Sequence, residues 1–443
     1  MKLQFTPFKG KLPGYSLCSF RQDAYSAFIV ALFAIPQAIA YSLLANLPPT
    51  TGIFCAIFGA IFSASWCSTQ HLVAGPSTGI SILLQATIAD ILVNYFPTLS
   101  PAQRPEVALH ILMQLVLLIG LIQIFLACFQ VSKLLQFVSK SVMLGYFSGV
   151  AIAIVVSQMG NFLGIPGGGG GGNVLDQIVY LSRHLFEFNS VSLGLGIFCL
   201  LFLTFVRKRF PLVPDALLMI ILAGVIGFGV NTLGQGVLPS VATLNDVGSS
   251  FSLPDLRLPI IDLKLINKII PQAIALALLG ILEVFSTSRA ISTKSGQKVD
   301  INQDVLSIGL SNFFLSFFRF SMPVSGSMSR SMIGYNTNAK TYLSPLLSGV
   351  FVFLLVFVCF PLISQIPMVA LAALLLLSSR YLVQRDQVKL CFKATKEDAL
   401  VFLLTLGSCL VFTLDVAFFI GISISIASYL KKAATPHFVE YAF

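Results

Sequence analysis

Apolar runs, each approaching the roughly 20 residues an α-helix needs to cross a hydrocarbon core about 30 Å thick, succeed one another along nearly the whole chain. They include 24–44, 111–129, 193–206, 216–230, 271–285, 343–360, 368–377, 399–412 and 416–430, separated by short polar joints. With 56% hydrophobic and 10% charged residues, the chain has too little polar surface to cover a soluble globule. Pattern and composition together predict an all-α membrane protein of about fourteen transmembrane segments.

Residues 1–21 lack the apolar core of a cleavable signal peptide, so the amino terminus is expected to stay. An even number of spans puts both termini on one side. Placing them in the cytoplasm gathers Lys2, Lys9, Lys11, Arg21, Lys133, Lys140, the Arg207-Lys208-Arg209 triplet and Lys431-Lys432 inside, where positive residues concentrate. The net charge of +10 is therefore topological, and basic residues scattered over joints do not make a nucleic-acid surface. The expected location is a bacterial inner (plasma) membrane. Eight cysteines without a CxxC pair and four scattered histidines offer no metal-ligand spacing and imply neither a metal nor a cofactor.

The spans divide into two sets of about seven. Residues 1–23 form a cytoplasmic segment, 24–232 the first set, 233–267 an outer linker with Pro239, Pro254 and Pro259, 268–431 the second set, and 432–443 a cytoplasmic tail. An odd number per set makes the two halves inverted repeats. The glycine run Gly167 to Gly172 is followed by Asn173-Val174, where a phosphate loop needs Lys and then Ser or Thr; it is read as a flexible outer loop with no chemistry assigned.

Two stretches, His71 to Gln85 and Phe320 to Ile333, do not fit an ordinary span. Each runs from an extended lead-in (Leu72-Val73-Ala74-Gly75-Pro76; Phe320-Ser321-Met322-Pro323-Val324) into a Ser/Thr/Gly-rich helix start. Each falls on the third span of its set, the pattern of a transporter with discontinuous helices near the midplane. A helix amino terminus offers unpaired N–H groups and about half a positive charge, so two facing half-helices make an anion site from Pro76, Ser77, Thr78, Ser325 and Ser327. Arg330 lies one turn into the second, and a cation there costs at least roughly 2.5–3.5 kcal/mol unless compensated. Its partner is either Glu283, a ring of backbone carbonyls, or a transported anion. Glu283, the other isolated ionisable group within a span, is placed either to take up and release a proton or to form a fixed ion pair with Arg330; Thr287 shares its face. In the first span Pro36 interrupts an apolar helix, and Gln37 and Tyr41 lie four apart on one face, serving either backbone freed by Pro36 or a ligand.

At these residues the chain resembles the sulfate permease family of anion transporters. The matching segments are Ile35-Pro36-Gln37-Ala38-Ile39-Ala40-Tyr41 with Leu47-Pro48-Pro49-Thr50-Thr51-Gly52-Ile53; His71-Leu72-Val73-Ala74-Gly75-Pro76-Ser77; Gly280-Ile281-Leu282-Glu283 with Asp300-Ile301-Asn302-Gln303-Asp304; and Pro323-Val324-Ser325-Gly326-Ser327-Met328-Ser329-Arg330-Ser331. The resemblance implies a uracil-transporter-like fold, with a core of spans 1–4 and 8–11 and a gate of spans 5–7 and 12–14. It implies substrate contacts at Gln37, Tyr41, Pro76, Ser77, Thr78, Ser327, Ser329 and Arg330, and a coupling-ion site at Glu283 and Thr287. Family members usually continue into a cytoplasmic STAS domain and can form homodimers; here only the membrane domain is expected. The expected function is secondary active transport of a small inorganic anion, sulfate first, coupled to protons through elevator-like alternating access. The alternatives are sodium-coupled bicarbonate transport, an uncoupled channel or exchanger, and a nucleobase carrier. An enzyme is not expected, since no phosphate loop, ligand cluster or nucleophile–base spacing is present.

Overall fold

The computed structural model describes residues 3–6, 15–96, 104–130, 139–165, 174–210, 213–233, 242–244, 256–259, 262–363 and 365–434. The glycine run 167–172 and most of the linker 233–267 lie outside these residues. In chain order the elements are α1 (Leu17–Leu44), α2 (Pro49–Trp66), β1 (Ala74–Gly75), α3 (Thr78–Tyr95), α4 (Arg104–Cys128), α5 (Lys140–Leu163), α6 (Val174–Arg183), α7 (Ser190–Arg209) and α8 (Asp215–Leu233). They continue as α9 (Leu263–Ser295), α10 (Ile301–Leu315), β2 (Ser325–Gly326), α11 (Met328–Asn336), α12 (Leu343–Ile363), α13 (Met368–Leu382), α14 (Arg385–Ala394), α15 (Lys396–Val411) and α16 (Leu414–Ala434). Among the described residues nine helices are long and apolar enough to cross a membrane. The protein is a multi-pass, all-helical membrane protein.

Local chemistry sets many helix ends. Ser16, Ser77, Asn189, Asp262, Asp300 and Thr395 cap amino termini with side-chain oxygens, and Gly164 and Gly296 close α5 and α9 in left-handed conformation at φ 70°. Pro36 does not interrupt the first span: α1 runs through it unbroken. A proline removes one hydrogen bond, and inside a packed membrane bundle neighbouring groups make good the loss. Pro271 is likewise carried within α9.

Helices α1, α2, α4, α9, α10 and α12 pack chiefly on one another, as do α5, α7, α8, α13, α15 and α16. Glycines let the first group close up. A Cβ on Gly120 of α4 would lie 2.5 Å from the backbone nitrogen of Phe313 on α10, and one on Gly52 of α2 would lie 2.0 Å from the Ala38 carbonyl oxygen of α1. The two short helices α6 and α14 are amphipathic, with Leu175, Ile178, Leu390 and Phe392 exposed on them.

Candidate functional site

The two extended lead-ins meet. β1 and β2 pair antiparallel, Ala74 opposite Gly326 and Gly75 opposite Ser325, so α3 and α11 leave opposite ends of the strand pair. Non-helical backbone at this depth must be satisfied by protein, and here side chains and the facing strand supply partners. The Ser327 N–H donates to the Val73 carbonyl at 3.0 Å, and the Val73 N–H to the Ser331 hydroxyl at 2.9 Å. Asn312 brackets Val324, accepting from its N–H at 2.8 Å and donating to its carbonyl at 3.1 Å, while its amide also donates to Gln123. Cys55 does the same for Met322, at 2.9 and 3.1 Å.

Buried carboxylates hold the other ends. Asp304 accepts from the N–H and hydroxyl of both Ser68 and Thr69, and from the Ser288 hydroxyl, at 2.5 to 3.1 Å, which fixes the turn leading to β1. Asp23 accepts from the N–H groups of Lys340 and Thr341 and from the Thr341 hydroxyl, at 2.6 to 3.1 Å, which fixes the chain leaving α11. The Tyr15 phenol also reaches Asp23, at 3.2 Å; burial first, and then this carboxylate, push it up to about 12, so it remains a neutral donor.

In front of the paired strands lies a cavity of about 570 Å³. Of the residues singled out in the sequence, Gln37, Tyr41, Ser77, Thr78, Glu283, Thr287, Ser327 and Ser329 line it. Gln37 and Ser329 meet on its wall, with the Gln37 amide 3.5 Å from the Ser329 hydroxyl. Ser77 caps α3 by accepting from the Ile80 N–H at 3.3 Å, whereas Ser327 makes no side-chain cap bond at the start of α11, leaving that turn's first N–H groups available to a ligand.

Pro76 and Arg330 lie behind the lining, joined to each other. The Arg330 side chain is 1% exposed, and its Nη2 donates to the Pro76 carbonyl at 2.9 Å, while its Nε has no hydrogen-bond partner. The guanidinium lies so close to Gly75 that a Cβ there would fall 2.8 Å from both Nη atoms. Of the partners considered for Arg330, the structure shows a backbone carbonyl. Glu283 instead accepts from the Ser325 hydroxyl and approaches α3 at Gly79, where a Cβ would fall 2.7 Å from its Oε1. Thr287 donates to the Gly326 carbonyl at 3.1 Å. The arrangement thus offers two converging helix dipoles, hydroxyl donors and a buried cation at one point, with a carboxylate on the same strand pair.

Sequence reasoning missed the opposite wall. Arg207, Phe210 and Asp215 at the α7–α8 turn, Tyr381 on α13 and Gln384 also line the cavity. Arg207 and Asp215 are eight residues apart across a joint, and nothing in the local pattern marks them as facing α3 and α11. Among the described residues no group of three or more His, Cys, Asp or Glu could hold a metal ion.

The family model for the sulfate permease family matches residues 20–405. The chain belongs to the sulfate permease family. This sulfate permease family member is 24% identical over 436 residues to a probable sulfate transporter 3.5 of Arabidopsis thaliana, covering 98% of this chain and 67% of the relative. It is 23% identical over 435 residues to the putative sulfate transporter YvdB of Bacillus subtilis, covering 96% of this chain and 76% of the relative. Human solute carrier family 26 member 6 is 23% identical over 467 residues, with 98% of this chain and 58% of the relative covered. Among solved structures, SLC26A9 superposes with a TM-score of 0.82 at 20% identity over 95% of this chain and 67% of that one. The transmembrane domain of a cyanobacterial bicarbonate transporter, BicA, superposes with a TM-score of 0.75 at 18% identity over 93% and 98%. The fold is therefore shared with these transporters.

Proposed function

We propose that this sulfate permease family member is a secondary active transporter of a small inorganic anion, with sulfate as the first candidate, driven by protons through an elevator-like movement. The reading rests on one observation above all: the starts of α3 and α11 line a common cavity, with the buried Arg330 directly behind their joined strands. Backbone dipole and a desolvated cation acting together select anions, and the weak neutral donors Ser77, Ser327, Gln37 and Tyr41 let the ion leave again. Glu283 is assigned the coupling proton, with Thr287 beside it, and both are tied to β2.

With α6 and α14 set aside as surface helices, the fourteen other helices among the described residues are taken as the spans. The first repeat is α1–α5, α7 and α8, and the second is α9–α13, α15 and α16. The core is α1–α4 with α9–α12, the gate the remaining six, and the helix packing supports this division. With the Arg207-Lys208-Arg209 face taken as cytoplasmic, the cavity is open inward, in a bacterial inner membrane with both termini inside.

The test is uptake of radiolabelled sulfate into proteoliposomes, competed by bicarbonate, chloride and small dicarboxylates. Uptake that saturates and follows an imposed pH gradient is expected. Dependence on sodium with preference for bicarbonate would favour sodium-coupled bicarbonate transport, and uncoupled current a channel. Arg330→Ala, checked for a monodisperse, folded state, should weaken sulfate binding about 10–100-fold, as loss of a buried cation's through-space attraction of about 1.5–3 kcal/mol implies. Unchanged affinity would remove Arg330 from the site.

A further inference from the structure

We propose that Arg207 forms a second anion subsite, at the mouth of the cavity, where an incoming ion is captured before it reaches the half-helices. The inference rests on reading the cavity as the anion's path. Because Arg330 is shielded behind the strand pair, Arg207 is the one cation among the described residues lining the cavity.

Its surroundings hold it ready. The Arg207 Nε donates to the Asp215 carboxylate at 2.8 Å, and the guanidinium carbon sits 5.1 Å from the centroid of the Tyr381 ring. An acid on one edge and an aromatic face fix the plane of the group, and four of its five N–H donors are not used by Asp215. The pair is buried unequally: the Arg207 side chain is 33% exposed and that of Asp215 3%. Both line the cavity, and an ion there meets far more of the guanidinium than of the carboxylate.

The same pairing keeps the subsite weak. Asp215 offsets the charge of Arg207, so an oxyanion is attracted by oriented N–H groups rather than by a full net charge, with Gln384 beside the same opening. A staging site must be favourable enough to fill and weak enough to empty. Its low-dielectric walls focus the field of the cation on the entrance, which raises the capture rate.

The test compares three variants in reconstituted vesicles with radiolabelled sulfate, at low and high ionic strength. Asp215→Asn keeps an acceptor for the Arg207 Nε but releases the cation's charge, so KM is expected to fall about 2–5-fold with a steeper salt dependence. Arg207→Gln combined with Asp215→Asn leaves no buried unpaired charge; KM should rise about 3–10-fold at low salt, kcat should hold, and the salt dependence should flatten. Equilibrium sulfate binding to the same double variant in detergent should match the parent protein, whereas Arg330→Ala should weaken it about 10–100-fold. A double variant with parental KM and salt dependence, or one that loses kcat at unchanged KM, would overturn the subsite. Loss of equilibrium binding in the double variant would do so too, by moving Arg207 into the central site.

Discussion

At the residue scale, Glu283 and Arg330 illustrate how the same strand pair separates two roles. The acid is held by the Ser325 hydroxyl on β2, the cation by the Pro76 carbonyl just beyond β1, so neither neutralises the other by direct contact. Two glycines make this possible. Gly75 admits the guanidinium and Gly79 admits the carboxylate, since a Cβ at either position would lie within 2.8 Å of them. Glu283→Gln retains an acceptor for Ser325 and nearly the same volume, so the fold should hold while the titratable proton is lost. Sulfate binding is expected to stay within about threefold of the parent, since Gln matches the protonated acid that accompanies a bound anion in proton symport and keeps an acceptor for the Ser325 hydroxyl. Uptake should run down the sulfate gradient and ignore an imposed pH gradient. Uptake that still responds to pH would take the coupling role away from Glu283.

At the scale of elements, the half-helices depend on helices that never touch the cavity. Asn312 of α10 and Cys55 of α2 together satisfy the backbone of Met322 and Val324, which precede β2. Asn312→Leu preserves volume but strands the Val324 N–H and carbonyl in apolar surroundings, each worth roughly 1–3 kcal/mol when left without a partner. A loss of about 2–4 kcal/mol is expected, read as a lower midpoint of thermal unfolding in detergent, together with weaker sulfate binding. An unchanged midpoint would mean that β2 does not need this bracket. The discontinuous helices were legible in the sequence, because Gly75-Pro76 and Met322-Pro323 followed by serines cannot continue an apolar helix. Other features were not. Whether Pro36 breaks α1 depends on neighbours that local sequence does not name, and Arg330's place on α11 does not say which way its side chain turns. Cys55 in an apolar run reads as packing, since its partner lies 267 residues away. The basic stretch with Arg385, Lys389 and Lys393 forms the short helix α14, too polar to register as a span and too short for periodicity to stand out.

For the whole molecule, the decisive asymmetry is between the two sides of the half-helices. On one side the cavity of about 570 Å³ reaches the α7–α8 turn; on the other only a void of about 30 Å³ separates α3 from α5, α6, α15 and α16, lined by Ile82, Gln85, Cys409 and Thr413 among others. A rigid shift of the core against the gate would close the first opening and open the second, with the joined strands travelling as one piece because Asp23, Asp304, Asn312 and Cys55 fasten them within the core. A channel needs no such alternation. Single cysteines at Met328, 45% exposed at the cavity, and at Thr413, in a background with the native cysteines replaced, distinguish the two. A membrane-impermeant thiol reagent is expected to modify Met328→Cys from the cytoplasmic side more than about tenfold faster than from the outside, as a predominantly inward-open population requires. Thr413→Cys should react slowly from the outside, and faster when an outward sulfate and proton gradient is imposed to populate the opposite state. Because each state opens only one of the two positions, their rates should change in opposite directions. Parallel changes at both, or equal reactivity from either side, would rule out the elevator in favour of a continuous pore.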